Sequence, residues 1–241
     1  MFFSLVLPAY NEAKALPAAV EAARGELRKI KGLRFEIIIA EDGAVDETPQ
    51  VAERLARRFK EVRHLHSARR LGRGKALYNA FRAAAGDCVG YMDVDLATPP
   101  KHLKELAGYC RDFDVVTGSR YAAGAKASRS SSRGFLSGGF NFLVRLSLGS
   151  RLFDHQCGFK AFRKKAALDL CARARSRHWF WDTEVLVLAQ KLGYRVKEFP
   201  VEWSEKGARG KTKVDLRRDV WEMFASIVRM RIALWRGDYF A

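Results

Sequence analysis

The chain has 241 residues, with 44 Lys and Arg against 27 Asp and Glu, for a formal charge of +17. Hydrophobic residues make up 48% of it, which excludes a disordered or collagen-like chain and supplies material for one large core. No apolar run approaches the ~18–20 residues that cross a bilayer. Met1–Leu7 is too short and uncharged for a secretory leader.

Phe2–Leu7 predicts a first strand and Glu12–Ile30 an Ala-rich amphipathic helix. Phe35–Ala40 follows as a strand, Asp46–Phe59 as a helix, Val62–His66 as a strand and Lys75–Ala85 as a helix. Cys88–Met92, a helix over Pro99–Cys110 and a strand over Phe113–Thr117 complete the first half. Strands alternating with helices imply an α/β fold with a mostly parallel, Rossmann-like sheet flanked by helices. Tyr121–Arg133, rich in Gly, Ser and Arg, predicts a mobile loop, and Phe135–Leu148 an apolar helix. Short strands (Cys157–Phe162, Arg195–Phe199) and helices (Lys164–Ala172, Thr183–Leu192) come next, then a long amphipathic helix over Asp215–Trp235. The economical division is a main domain over 1–213 and a C-terminal helical element over 214–241. Cys88, Cys110, Cys157 and Cys171 have no CxxC spacing, so they predict free buried thiols in a reduced, cytoplasmic protein.

In parallel sheets ligands bind beyond the carboxyl ends of the strands, and polar clusters fall at those ends. Asp93 and Asp95 flank Val94 directly after the fourth strand, where period-two geometry turns both carboxylates the same way. Two hard oxygen donors suit Mg²⁺ or Mn²⁺, which take the rest of their shell from water and substrate phosphate. Glu41-Asp42-Gly43 closes the second strand, either as acceptors for a nucleobase or ribose or as a turn. Arg69–Lys75 brings glycines and amides to a helix start, but the Walker A spacing is absent. Asp182 reads equally as a site residue or as the N-cap of the following helix. Neither His155 nor His178 has a Ser or Cys partner at the spacing of a hydrolase triad.

Thirteen Lys and Arg against Asp154 and Asp169 alone give Ser119–His178 a net +11. Such a field attracts nucleic acid, phosphate-bearing substrates or an anionic membrane face. A nucleic-acid partner is disfavoured: there is no reading motif, and acids at the strand ends would repel phosphate without a cation.

Taken in order, Leu5–Glu12, Glu41–Thr48, Gly72–Ala76, Met92–Pro99, Gly118–Arg120, Asp154–Phe162, Trp179–Glu184 and Pro200–Trp203 leading into Gly210–Lys213 resemble a family 2 glycosyltransferase of the GT-A fold. The resemblance extends to the dolichyl-phosphate glucosyltransferases and mannose synthases and covers nearly the whole chain. It implies a nucleotide-sugar donor such as UDP-glucose, a polyprenyl or dolichyl phosphate acceptor, and an inverting transfer. By the family pattern Glu41 and Asp42 hold the uridine side, with Pro8, Tyr10, Glu12 and Arg73 lining the nucleotide site. Asp93 and Asp95 hold the metal on the diphosphate. Arg120 and Arg133 grip phosphate, while Asp154, Gln156, Trp181, Asp182 and Glu184 form the sugar and acceptor side. Glu41 stands where Asp is usual and Arg73 where Lys is common. Relatives often carry a membrane span that this chain lacks. The apolar, Arg-edged helices Phe135–Leu148 and Asp215–Trp235 imply instead peripheral attachment to an anionic cytoplasmic membrane face. The nearer alternative is a GDP-mannose-using synthase or a transferase with a soluble acceptor.

Overall fold

The computed structural model describes residues 1–128, 131–176, 178–204 and 216–240, with the backbone alone for 131–133 and 216–220. The strands are β1 (Phe2–Ala9), β2 (Arg34–Glu41), β3 (Val62–Leu65), β4 (Cys88–Met92), β5 (Val115–Ser119), β6 (Lys126–Ser128), β7 (Phe159–Arg163), β8 (Val196–Pro200) and β9 (Glu202–Ser204). The helices are α1 (Leu16–Arg28), α2 (Thr48–Arg58), α3 (Arg73–Ala83), α4 (Leu103–Tyr109), α5 (Ser131–Leu148), α6 (Lys164–Arg173), α7 (Trp181–Lys191) and α8 (Leu216–Trp235). A 3-10 turn over Pro100–His102 leads into α4.

Seven strands form one sheet in the order β3-β2-β1-β4-β7-β5-β8, and β6 pairs with β9 in a small second ribbon. β7 alone runs antiparallel, between β4 and β5. Alternation along each strand feeds two cores. Phe3, Leu5 and Leu7 of β1 pack with Ile37 and Ile39 of β2 under α1, α2 and α4. On the other face Val6, Ile38, Val89 and Tyr91 meet α3, α6 and α7, together with Ile227, Met230 and Ala233 of α8. Chain order reverses where β1 lies between β2 and β4, which opens a crevice at their carboxyl ends.

Two expectations change. Cys88, opening β4, and Cys110, just after α4, form a disulfide across a separation of 22 residues. Tertiary packing unites the pair, and sequence spacing carries no sign of it. Only Cys157 and Cys171 remain free and buried, and burial pushes both thiols up to about 12. The second change is in the stretch read as a loop, which contains β6 and the first turn of α5. The helix α5 buries Val144 and Leu148 and leaves Phe135, Phe142 and Leu146 exposed. The 213/214 boundary and Gly210–Lys213 lie outside the described residues.

Candidate active site

All five residues of β4 are buried, so the chain leaves the sheet at a fixed point and delivers Asp93 to the crevice. The Asp93 amide donates to the Gly158 carbonyl at 3.1 Å. The Asp93 carboxylate lies against Gly158, where a Cβ would overlap Oδ2. Asp95 Oδ1 accepts the Ala97 amide at 3.0 Å, across Leu96 in the left-handed region at φ 57°. A branched residue held there stores backbone strain, a pattern common at functional sites. Burial, and then the neighbouring Asp93, raise the Asp95 carboxyl above its ordinary range. Both aspartates line a cleft of about 120 Å³ with Arg120, Gln156, Gly158 and Trp203. Paired carboxylates in a small polar cleft fit a hard divalent cation, which would supply the positive charge their proximity calls for.

Behind them lies a buried ionic chain. Arg73, at the first turn of α3, donates from Nη2 to Asp93 at 2.8 Å and from Nε to Asp182 at 3.0 Å. Asp182 also accepts from Lys160 Nζ at 3.0 Å and from the Tyr91 hydroxyl. Burial alone would raise the Asp182 carboxyl, but Lys160 and Arg73 outweigh it and hold it below the usual range. The N-cap of α7 is Phe180, so Asp182 is a buried helix residue and not the cap. Lys160 and Tyr91 belong to no motif that marks them as site residues in the sequence. The signal available was a lysine inside the otherwise apolar Phe159–Phe162.

Arg120 and Asp154 form a two-pronged pair at 2.7 and 2.8 Å, reinforced by the Arg120 amide at 2.9 Å. Burial opposes ionisation of Asp154, yet Arg120 brings its pKa down to about 2. The pair aims Arg120 at the cleft with Trp203 beside it, its guanidinium carbon 5.7 Å from the ring centroid. The side chain of Arg133 lies outside the described residues.

Next to this pair, His155 is fully buried, with Nδ1 on Asn141 Oδ1 at 2.8 Å and Nε2 on the Ser150 hydroxyl at 2.7 Å. Burial lowers its pKa to about 4, against about 6.5 in the unfolded chain. Between those values the unfolded state binds more protons, so stability is complete above about pH 6.5 and falls as the pH drops towards 4. The loss should reach about 3 kcal/mol. Urea titrations at pH 7 and pH 4.5 on the wild type and His155→Gln should show a shallower pH slope in the variant.

At the other end of the crevice the loops after β1 and β2 meet residues 69–72. A Cβ on Gly43, at φ 66°, would overlap the Arg70 amide. Arg70 stacks on Tyr10 with its guanidinium carbon 4.0 Å from the ring centroid. The Glu12 amide donates to Thr48 Oγ1 at 2.8 Å, and Pro8 sits in register with Ala40. Asp42 spends both carboxylate oxygens on the Leu71 and Gly72 amides, at 2.7 and 3.0 Å. Its observed work is therefore to hold the glycine-rich loop. Glu41 is buried, with its carboxylate against the Ala44 amide and His66.

Gln156 also lines a groove of about 830 Å³ formed by the segment before α7 and by α8. Trp179, Phe180, Met223 and Met230 line it, and Arg175, Arg229 and Arg236 stand in its wall. Glu184 lies on this groove, accepting from the Ser176 amide at 2.8 Å and the Tyr239 hydroxyl at 2.6 Å. Trp181 faces the core and not the cleft: it is 1% exposed, and a Cβ on Gly74 would come within 2.5 Å of its ring.

The profile of glycosyl transferase family 2 matches residues 4–171. The chain belongs to glycosyl transferase family 2. This family 2 chain is 50% identical over 229 residues to the glycosyltransferase AglD of Haloferax volcanii, covering 94% of itself and 36% of AglD. It is 34% identical to the dolichyl-phosphate beta-glucosyltransferase ALG5A of Trichomonas vaginalis, over 85% of itself and 66% of that protein. With the dolichyl-phosphate beta-glucosyltransferase of Drosophila melanogaster it shares 31% identity, over 97% of itself and 76% of the relative. The chain thus spans about a third of AglD and about two thirds of ALG5A. Its fold is GT-A. Glucosyl-3-phosphoglycerate synthase from Mycobacterium tuberculosis, solved with UDP, superposes with a TM-score of 0.68 at 20% identity, over 95% of this chain and 80% of that one. The mannosyltransferase PcManGT of Pyrobaculum calidifontis, solved with GDP-Man and Mn2+, superposes with a TM-score of 0.61 at 19% identity, over 94% and 64%. Among the described residues, no helix is long and apolar enough to cross a membrane.

Proposed function

We propose that this chain transfers a hexose from a nucleotide sugar, UDP-glucose in the first instance, to a polyprenyl phosphate. The carrying observation is the continuity of two sites through Gln156. The small polar cleft holds Asp93, Asp95 and Arg120, and the large groove is lined by Trp179, Phe180 and Met230. The first suits a diphosphate with its cation, and the second suits an isoprenoid chain. Relatives named dolichyl-phosphate beta-glucosyltransferases support the same acceptor class.

Asp93 and Asp95 would hold Mg²⁺ or Mn²⁺, which would supply positive charge at the leaving diphosphate. Arg73 holds Asp93 in place. Arg120, fixed by Asp154, offsets repulsion between the two anions as the acceptor phosphate approaches. A phosphate monoester, with a second pKa near ~6, is already a dianionic nucleophile at neutral pH and needs no strong general base. A single in-line displacement then inverts the anomeric centre. Tyr10, Glu12 and the loop held by Asp42 line the nucleotide side.

Residues 1–213 form the transferase domain, and 214–241 attach it peripherally to the cytoplasmic face of an anionic membrane. What supports attachment is the outward stripe Trp221, Phe224, Val228, Ile232 and Trp235 on α8, beside exposed Phe135, Phe142 and Leu146 on α5. Spacing of three and four residues is that of one helix face, and such a face with Arg at its edge lies in an interfacial plane.

The test is a transfer assay with a short polyprenyl phosphate and UDP-glucose, UDP-N-acetylglucosamine or GDP-mannose. The expected result is a glucosylated lipid from UDP-glucose, formed faster in phosphatidylglycerol vesicles than in phosphatidylcholine. Transfer from GDP-mannose alone, or only to water-soluble acceptors, overturns the reading.

A further inference from the structure

Glu41, His64 and His66 form a second group of ligating side chains, apart from the two aspartates. β3 lies parallel to β2 with His64 opposite Ile39. Positions 64 and 66 point the same way, towards Glu41 where β2 ends. His66 Nδ1 is 2.5 Å from Glu41 Oε2, His64 Nε2 is 3.9 Å from the same oxygen, and the three ligand atoms lie within 4.8 Å of one another. Ligands around a tetrahedral ion at ordinary Zn–N and Zn–O lengths stand ~3.3 Å apart. The observed spacings bracket that value, so small rotamer shifts bring all three atoms to coordinating distance.

Two further observations point to a ligand. The His64 Nε2 atom is buried and has no hydrogen-bond partner among the described residues, an arrangement that folded proteins seldom leave unexplained. Glu41 Oε1 accepts the Ala44 amide at 2.5 Å, an outer contact that fixes the carboxylate and leaves Oε2 for a metal. The His66 side chain is 55% exposed, so ions enter from solvent.

We propose that Glu41, His64 and His66 bind a borderline transition-metal ion of the Zn²⁺ class at the carboxyl edge of β2 and β3. Two imidazoles and one carboxylate select Zn²⁺, Co²⁺ or Ni²⁺ over Mg²⁺, whereas the all-oxygen aspartate pair favours the harder ions. The ion ties the end of β3 to β2 and leaves a coordination position open to water. This inference rests on the three side chains alone and holds whatever the donor or acceptor of the transfer reaction.

The test is titration of the full chain with Co²⁺, read by the visible ligand-field bands of a low-symmetry site. One equivalent is expected to bind, to be displaced by one equivalent of Zn²⁺, and to bind unchanged in the Asp93→Asn/Asp95→Asn double variant. His66→Ala, an exposed position, should weaken binding at least about tenfold, as should His64→Gln. Zn²⁺ should raise the Tm of the wild type and not that of His66→Ala. Absence of bands, or bands that survive His66→Ala but vanish in the aspartate variant, overturns the proposal. The second outcome would assign the ion to Asp93 and Asp95.

Discussion

Asp182→Ala is expected to destabilise the fold by about 3–5 kcal/mol and to remove most transferase activity. The reason lies in what the carboxylate leaves behind. Lys160 is 0% exposed, and its Nζ has Asp182 at 3.0 Å and one backbone carbonyl for partners. Removing Asp182 strands that ammonium in the interior, where an unpaired charge costs several kcal/mol. Arg73 loses its Asp182 contact at the same time and keeps Asp93 alone, so the guanidinium is free to pull Asp93 off the cleft. The Lys160→Met/Asp182→Leu double variant separates the two effects. Replacing a buried ion pair by apolar groups of similar size is often nearly neutral, so urea unfolding should recover most of the lost stability. Activity should stay low, because Arg73 is still unsupported. A single variant that loses less than about 1 kcal/mol would show that the chain carries no net charge coupling.

Gly158→Ala is expected to leave the fold standing and reduce transfer by about a hundredfold. A Cβ at 158 overlaps both the Oδ2 and the carboxyl carbon of Asp93, so the side chain has to move. Displacing a reacting-centre ligand by about 1 Å costs on the order of 10²-fold in rate. Gly108→Ala is the matched control, since no heavy atom lies within 4 Å of its new Cβ. Steady-state kinetics should show the loss in kcat together with a raised requirement for divalent cation. Wild-type kinetics in Gly158→Ala would mean that Asp93 takes no part in the site.

The alternation of apolar runs and amphipathic segments made most of the sheet legible, because each strand from β1 to β5 is followed by a helix or loop of its own type. Asp93 and Asp95 were legible for the same reason: a fully buried five-residue strand ends and two acids follow. The antiparallel insertion of β7 between β4 and β5 was not, since Phe159–Arg163 reads as a strand in either direction and pairing is decided by tertiary packing. Nor was the Cys88–Cys110 disulfide, whose partners meet only because β4 opens beside the end of α4. Asp182 shows the limit best. At a helix start an Asp suggests a cap, yet folding buries it among Tyr91, Lys160 and Arg73, drawn from three other elements. Trp181 likewise carries a binding-site look in sequence, an aromatic beside acids, while its ring fills the space left by Gly74.

The proposed role of Asp93 and Asp95 is to act through a divalent cation. Transfer by EDTA-stripped enzyme on titration with Mn²⁺ or Mg²⁺, for the wild type and for Asp95→Asn, tests that role. Stripped wild type is expected to be inactive and to recover fully at saturating cation, while Asp95→Asn stays at least about a hundredfold lower across the titration. Full transfer in the presence of EDTA, or wild-type recovery by Asp95→Asn at the same Mn²⁺ concentration, would contradict it.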